Sequence, residues 1–336
     1  MNYGLLLLSL AILVVMGFVL SLVIGDTSMS SSQLWAVLTS TEADRDSNPV
    51  LATQALILAE IRLPRALLGL TIGLTLGLSG AAMQGFLRNP LAEPGLIGVS
   101  GSGALGAVLA IYTGLSLMLP LALPLVAVAS AMVAVVLLYW LSRGASILVL
   151  ILSGIAISSL TGALTSLVLN LSSNPFAAME IIQWMLGSIT DRSMVHVWLV
   201  LPFMLAGWIM LLSGGAQLDA LSLGDDTARS MGVNIPRLRW LVITGTGLAV
   251  GAATAVSGVI GFLGLVVPHL LRPLVGHHPG RLLPASALGG ATLLLLADVL
   301  VRLLPMQAEM KLGVVTALLG APFFFWLILR TRAGEF

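Results

Sequence analysis

Cysteine is absent from the 336 residues, which removes disulfides, thiolate metal sites and thiol nucleophiles and leaves the redox compartment unmarked. Charged residues are scarce, at 9% of the chain against roughly a quarter in a soluble domain. With 58% hydrophobic residues, a water-soluble fold could not cover its core with so few charges. The single lysine, Lys311, is followed by Leu312, whereas a Walker phosphate loop needs lysine followed by Ser or Thr. The chain therefore lacks that route to ATP hydrolysis. His196, His269, His277 and His278 never stand at the i, i+4 spacing with which one helix face grips a metal. Paired carboxylates and a nucleophile with an evident base are missing too, which excludes a membrane-buried enzyme. No catalytic residue, bound cofactor or metal ligand is assigned. The formal net charge of +1 includes no long basic run, so nothing marks a nucleic-acid partner.

What the chain has in quantity is apolar runs of about 20 residues, the length a helix needs to cross a hydrocarbon slab of roughly 30 Å. The runs predict helices over Gly4–Ile24, Pro64–Met83, Leu96–Tyr112, Leu119–Leu141 and Ile147–Leu171. A second set follows over His196–Leu212, Trp240–Ser257, Ile260–Val275, Leu282–Leu300 and Leu312–Leu329. The expected fold is an all-α integral membrane protein of about ten spans, one transmembrane domain over residues 1–336. Gly4–Ile24 lacks a basic flank and a cleavage pattern, so it reads as a retained span and not a signal peptide.

An even number of spans places both termini on one side. If that side is the cytoplasm, Arg88, Arg143, Arg229, Arg237, Arg239, Arg272, Arg281, Arg330 and Arg332 fall inside, as the positive-inside rule prefers. Arg45, Arg62, Arg65, Arg192, Arg302 and Lys311 then fall outside. Asp26–Glu60 reads as a polar external loop and Gly214–Arg239 as a polar internal one.

Gly69, Gly73 and Gly77, and again Gly247 and Gly251, stand four residues apart, which lets helix backbones approach closely in lipid. Asp298 is the clearest carboxylate within a span, and Arg302 one turn later can satisfy it. An ion-coupled carrier or channel, the alternative function, would place more such groups at mid-membrane depth. On the fifth span Ser158, Thr161 and Thr165 share a face, with Ser159, Gly162 and Ser166 beside it. The first face either lines a translocation path or bonds to its own backbone and neighbours.

Several strings resemble the FecCD-type membrane subunits of type II ABC importers over nearly the whole chain. They are IRLPRALLGLTIGLTLGLSGAAMQGFLRNPLAEPGLIGVS from Ile61, ALSLGDDTARSMGV from Ala220, GVIGFLGLVVPHLLR from Gly258, and ADVLVRL and GVVTALLGAPFFFWL from Ala297 onward. The resemblance implies a type II ABC importer permease in the bacterial inner membrane, working as a homodimer with a path on its two-fold axis. It also implies two cytoplasmic ATPase subunits, which bind the ATP and Mg, and a periplasmic substrate-binding protein. The cargo it implies is an iron chelate, a ferric siderophore first, with haem or cobalamin as alternatives.

In that family the segment matching 220–233 is the coupling helix that fits a cleft on the ATPase, a role carried to Leu223, Gly224, Asp225, Asp226, Ala228, Arg229 and Gly232. Read physically, Ser222 or Asp225 can cap a short helix there. Asn89, Pro90, Glu93 and Pro94 fall in a loop where the backbone must leave the helix, and it either gates or turns. Pro268, His269 and Arg272 end the eighth span near the ATPase or the inner gate. Arg62 and Arg65 flank Pro64, and Arg302 ends the ninth span; the resemblance points all three at glutamates of the binding protein, against internal pairing with Glu60 or Asp298. The one departure noticed is Ala308–Glu309–Met310–Lys311, where relatives carry Pro in place of Lys.

Overall fold

A computed structural model describes residues 2–25, 29–119, 121–304 and 309–332. In chain order the helices are α1 (Tyr3–Val23), α2 (Ser31–Thr39), α3 (Glu42–Ser47), α4 (Pro49–Leu56), α5 (Leu63–Leu87), α6 (Val99–Tyr112), α7 (Leu115–Met118), α8 (Ala122–Ser142) and α9 (Ile147–Leu171). They continue as α10 (Pro175–Met185), α11 (Met194–Ser213), α12 (Gly215–Leu221), α13 (Asp225–Ser230), α14 (Ile235–Ser257), α15 (Leu263–Leu271), α16 (Pro279–Leu303) and α17 (Leu312–Arg332). The fold is an all-α, multi-pass membrane architecture.

Eight helices among the described residues are long and apolar enough to cross a bilayer. The other two expected spans are shorter than their apolar runs. Leu96–Tyr112 gives the 14 residues of α6 because Pro94–Ile97 forms a separate 3-10 turn and Gly98, at φ 78°, breaks the helix. Ile260–Val275 gives the 9 residues of α15, because Gly258 turns the chain at φ 68° and residues 259–262 form no helix. At 1.5 Å per residue α15 reaches only about 14 Å, so an irregular segment completes that crossing. Such backbone is tolerated at membrane depth where protein surrounds it.

The Asp26–Glu60 loop is largely helical where it is described; Asp26 lies outside the described residues. Capping boxes at Ser30 with Gln33 and at Thr41 with Asp44 start α2 and α3. A π turn, Ile57–Arg62, then joins α4 to α5 without a break. The helix α10 had no counterpart among the predicted spans; it is 11 residues long, with Asn174 capping it and Pro175 at its first position.

The helix α5 is the axis of the bundle. Over its membrane-crossing stretch 83% of the residues are buried, as in α14, against 28% for α1, α9 and α11. Glycines make this possible. A Cβ on Gly73 would lie 2.6 Å from the Ala291 Cα, and Gly77 meets the Ser286 carbonyl, so α16 lies against the α5 backbone. Gly251 likewise seats Ala131 of α8 at 2.7 Å from where its Cβ would be. The exposed sides of α9 and α17 carry Leu160, Leu167, Leu318 and Phe325, apolar surface left for lipid or a second copy.

Candidate functional site

At one end of the bundle the chain makes two short helices, α12 and α13, before entering α14. Gly224 precedes α13 at φ 105° and Gly232 follows it at φ 86°, conformations open to glycine at no steric cost. Neither Ser222 nor Asp225 caps this helix. The Ser222 hydroxyl donates to the Asp219 carbonyl, and the Asp225 carboxylate lies 2.7 Å from the Arg88 guanidinium. Arg88 is the residue on which α5 ends, at φ 49°. Ala228 is fully buried beneath α13, whereas Leu223 and Met231 are more than half exposed and Asp226 and Arg229 face outward. The segment thus has a buried base, an exposed apolar edge and a direct ion pair to the central helix. Asp219 adds a second tie by accepting from the Gly280 N–H at 2.8 Å, where α16 begins.

In the expected inner loop Pro90 is exposed and Asn89 half-buried, whereas Glu93 and Pro94 turn inward. Asn89 only closes its own turn, accepting from Leu91 N–H. Glu93 reaches across the bundle and accepts from the Phe262 N–H at 2.6 Å, just before α15 starts. Pro94 packs against Gly264, where a Cβ would sit 2.7 Å from the proline ring. Phe262 holds φ 65°, an unusual value for an aromatic residue, and its ring fits against Gly320 of α17. At the other end of α15, Arg272 donates to the Gln84 side chain at 2.6 Å, and Gln84 donates to the Gly264 and Leu265 carbonyls. Pro268 is buried within α15, and His269 stacks edge-on to Phe323 with ring centres 5.7 Å apart. The short helix is therefore clamped by Glu93 at its start and by Gln84 and Arg272 along its length.

At the opposite end Asp298 sits between two guanidinium groups, Arg65 at 2.8 Å and Arg302 at 2.6 Å. It is a structural anchor, fully paired, and not a free coupling carboxylate. Arg302 also donates to the Ser21 hydroxyl at 2.7 Å and to carbonyls at the end of α1. Arg62 is 4% exposed and donates to the Leu22 and Val23 carbonyls, each at 2.7 Å. Arg62 and Arg302 thus spend their guanidinium groups within the bundle, on carbonyls at the end of α1 and, for Arg302, on Asp298. Backbone carbonyls at the end of a helix lack intrahelical donors, and a guanidinium supplies several at once.

Arg65 alone reaches outward, to Glu309 in the loop before α17. Thr190 also donates to Glu309, at 3.1 Å. Burial would raise the Glu309 carboxyl, but the charge and hydrogen bonds of Arg65 outweigh it and hold it below the ordinary carboxylate range. No pairing was assigned to Glu309, Arg88 or Gln84 from the sequence, because each partner is more than 100 positions away. Ala308, in the unusual string, lies outside the described residues.

On α9 the expected path face is mostly inward. Thr161 and Thr165 are buried, and the Thr161 hydroxyl donates to the Ile157 carbonyl and touches Gly101 of α6. Ser158 is half-buried. Within one subunit Thr161 and Thr165 therefore face the bundle interior. The exposed stripe is the adjacent one, Ser159, Gly162 and Ser166. Among the described residues no cluster of three or more His, Asp or Glu is arranged to hold a metal.

Sequence comparison then decides the family, since residues 12–330 match the FecCD transport family. The chain belongs to that family. It is 43% identical over 283 residues to the hemin transport system permease protein HmuU of Yersinia pestis, covering 81% of this chain and 83% of HmuU. It is 38% identical over 338 residues to the molybdate import system permease protein MolB of Haemophilus influenzae, covering 99% and 98%. Its fold matches a solved inward-facing metal-chelate-type ABC transporter with a TM-score of 0.83 and 35% identity, over 98% of this chain and 100% of that one. The protein is thus the permease subunit of a type II ABC importer, and ATP is hydrolysed by a separate subunit.

Proposed function

We propose that the permease carries an iron chelate, a ferric siderophore first and haem or cobalamin as alternatives, from periplasm to cytoplasm across a bacterial inner membrane. The α12–α13 end is the cytoplasmic one. Both described chain ends lie there, because Tyr3 and the start of α16 meet at that end and α17 runs toward it from Gly187. The arrangement is a homodimer with two ATPase subunits, which bind ATP and Mg, beneath and a binding protein above.

The observation that carries this reading is the α13 segment: exposed Leu223, Asp226 and Arg229 over buried Ala228, with Asp225 tied to the end of α5. A push on such a segment reaches the axis of the bundle and the Asn89–Pro94 loop, which begins one residue after Arg88. That loop and the clamped α15 form the inner gate, with Glu93 and Arg272 as its internal ties. The path runs along the exposed Ser159, Gly162 and Ser166 stripe, uncharged and wide enough in chemistry for a bulky chelate. Docking centres on Arg65: a carboxylate of the binding protein replaces Glu309 on the guanidinium, while Arg62 and Arg302 hold α1 and α16 behind it. Such rim pairs steer association and weaken with salt.

The experiment is a substrate profile of the cognate binding protein, measured by calorimetry with hemin, a ferric hydroxamate, cobalamin and molybdate in parallel. Tight binding of a ferric chelate alone supports the reading. Selective binding of molybdate, the cargo named for one relative, would replace the chelate with an oxyanion.

A further inference from the structure

The sequence has no basic run, yet the fold gathers arginines from three distant segments at the cytoplasmic end. Arg143 ends α8, Arg229 belongs to α13 and Arg239 lies in the first turns of α14. All three line one cavity of about 170 Å³ together with Tyr139. No carboxylate lines it among the described residues. An adjoining cavity of about 510 Å³ shares Arg229 and Arg239 and adds Arg88 and Asp225, which already neutralise each other. Arg239 donates through Nη1 to the Ser142 carbonyl at 2.6 Å, but its Nε is buried with no acceptor. A buried charged donor without an acceptor is costly, and Arg143 and Arg229, both exposed at the rim of the same space, add positive charge beside it that suits an anion.

We propose that this cavity binds the phosphate of an acidic phospholipid of the inner leaflet. The surface beside it fits the rest of that molecule. Trp140, next to Tyr139 on α8 and 71% exposed, joins Met132, Val133, Val136 and Leu137 in an apolar groove of about 500 Å³. Trp240, next to Arg239, is exposed on α14. Each helix thus carries an arginine and a tryptophan together at its cytoplasmic end, the pattern of residues at headgroup depth. Basic pockets on the cytoplasmic side of membrane helices take anionic headgroups, and planar guanidinium groups match phosphate oxygens in pairs. A carboxylate of the ATPase subunit would satisfy the charge, but it would leave the apolar groove unexplained. The groove runs along a membrane helix and suits an acyl chain.

The permease, assembled with its ATPase, is placed in nanodiscs of phosphatidylcholine containing a minor share of phosphatidylglycerol, and retained lipid is counted by native mass spectrometry after extraction. The variant Arg143→Gln/Arg239→Gln should retain phosphatidylglycerol at least about tenfold less well than the unmodified complex, as expected for loss of two charge-assisted contacts. The control Arg237→Gln, an exposed arginine lining a different cavity, should retain it normally. A second variant, Val136→Asp, should also lower lipid retention, because it charges the acyl groove and leaves the arginines in place. Thermal unfolding identifies any variant that has merely lost its fold. Equal retention in the double variant overturns the proposal. So does displacement of the lipid by inorganic phosphate in the Val136→Asp and unmodified complexes alike, which would make this a soluble-anion site. Loss of the ATPase subunit from the double variant with lipid unchanged assigns the cavity to the ATPase interface and overturns it as well.

Discussion

The Arg88 guanidinium, on the residue that closes α5, lies 2.7 Å from the carboxylate of Asp225, the first residue of α13. Both side chains are about two-fifths exposed, so the pair contributes roughly 0–1 kcal/mol to stability. Its proposed value is mechanical, since it ties α13 to the bundle axis at the root of the Asn89–Pro94 loop. Arg88→Glu and Asp225→Arg should each leave thermal stability nearly unchanged and lower uptake per ATP hydrolysed. The swapped double variant should recover much of the coupling ratio; recovery no better than either single variant would mean the pair transmits nothing.

The clamp at Glu93 has the opposite character. Removing its carboxylate leaves the part-buried Phe262 N–H without an acceptor, at a cost of about 1–3 kcal/mol. Glu93→Ala should therefore lower the unfolding temperature in detergent and slow uptake. Glu93→Gln keeps an acceptor oxygen and should restore most of both. If Ala and Gln variants behave alike, the charge itself, and not the hydrogen bond, is what the site requires.

On α9 a bulky residue at Gly162 meets open space, because no atom lies within 4 Å of where its Cβ would be. Gly162→Trp should fold normally and reduce uptake severely while basal ATP hydrolysis persists. Thr161→Trp, in contrast, overfills a buried contact with α6 and should cost about 1–3 kcal/mol of stability. Normal uptake by Gly162→Trp would take this stripe off the path.

Much of this was legible beforehand. The long spans follow from apolar run length, and Gly73 and Gly77 mark α5 for close packing, though not α16 as its partner. The shortening of α6 and α15 was not read, because apolar composition continues through Gly98 and Gly258 where the backbone turns. Arg62 and Arg302 look like rim charges in one dimension. Their burial depends on the carbonyls at the end of α1, and those carry no side-chain signature. Side-chain ties such as Glu93 to Phe262, or Glu309 to Arg65, join residues far apart in the chain and leave no period to detect.

Glu309 makes its end of the bundle sensitive to acid. Its folded carboxyl titrates below the unfolded value of about 4.3, so its contribution is fully present above that value. The contribution is lost as pH falls through the lower folded value. Glu309→Gln should thus destabilise the permease at neutral pH and flatten the acid end of its stability profile. An unchanged profile below pH 5 would show that Arg65 gains nothing from this partner.

The central claim is that transport draws on ATP hydrolysed by a separate subunit, with this chain as the conduit. The direct measurement is uptake of a labelled ferric chelate into proteoliposomes holding the permease and its ATPase, with binding protein outside and ATP or a proton gradient supplied inside. The account predicts uptake with ATP and Mg that vanishes when the ATPase subunit is omitted, and none from the gradient alone. Gradient-driven uptake by the permease without ATP would contradict it.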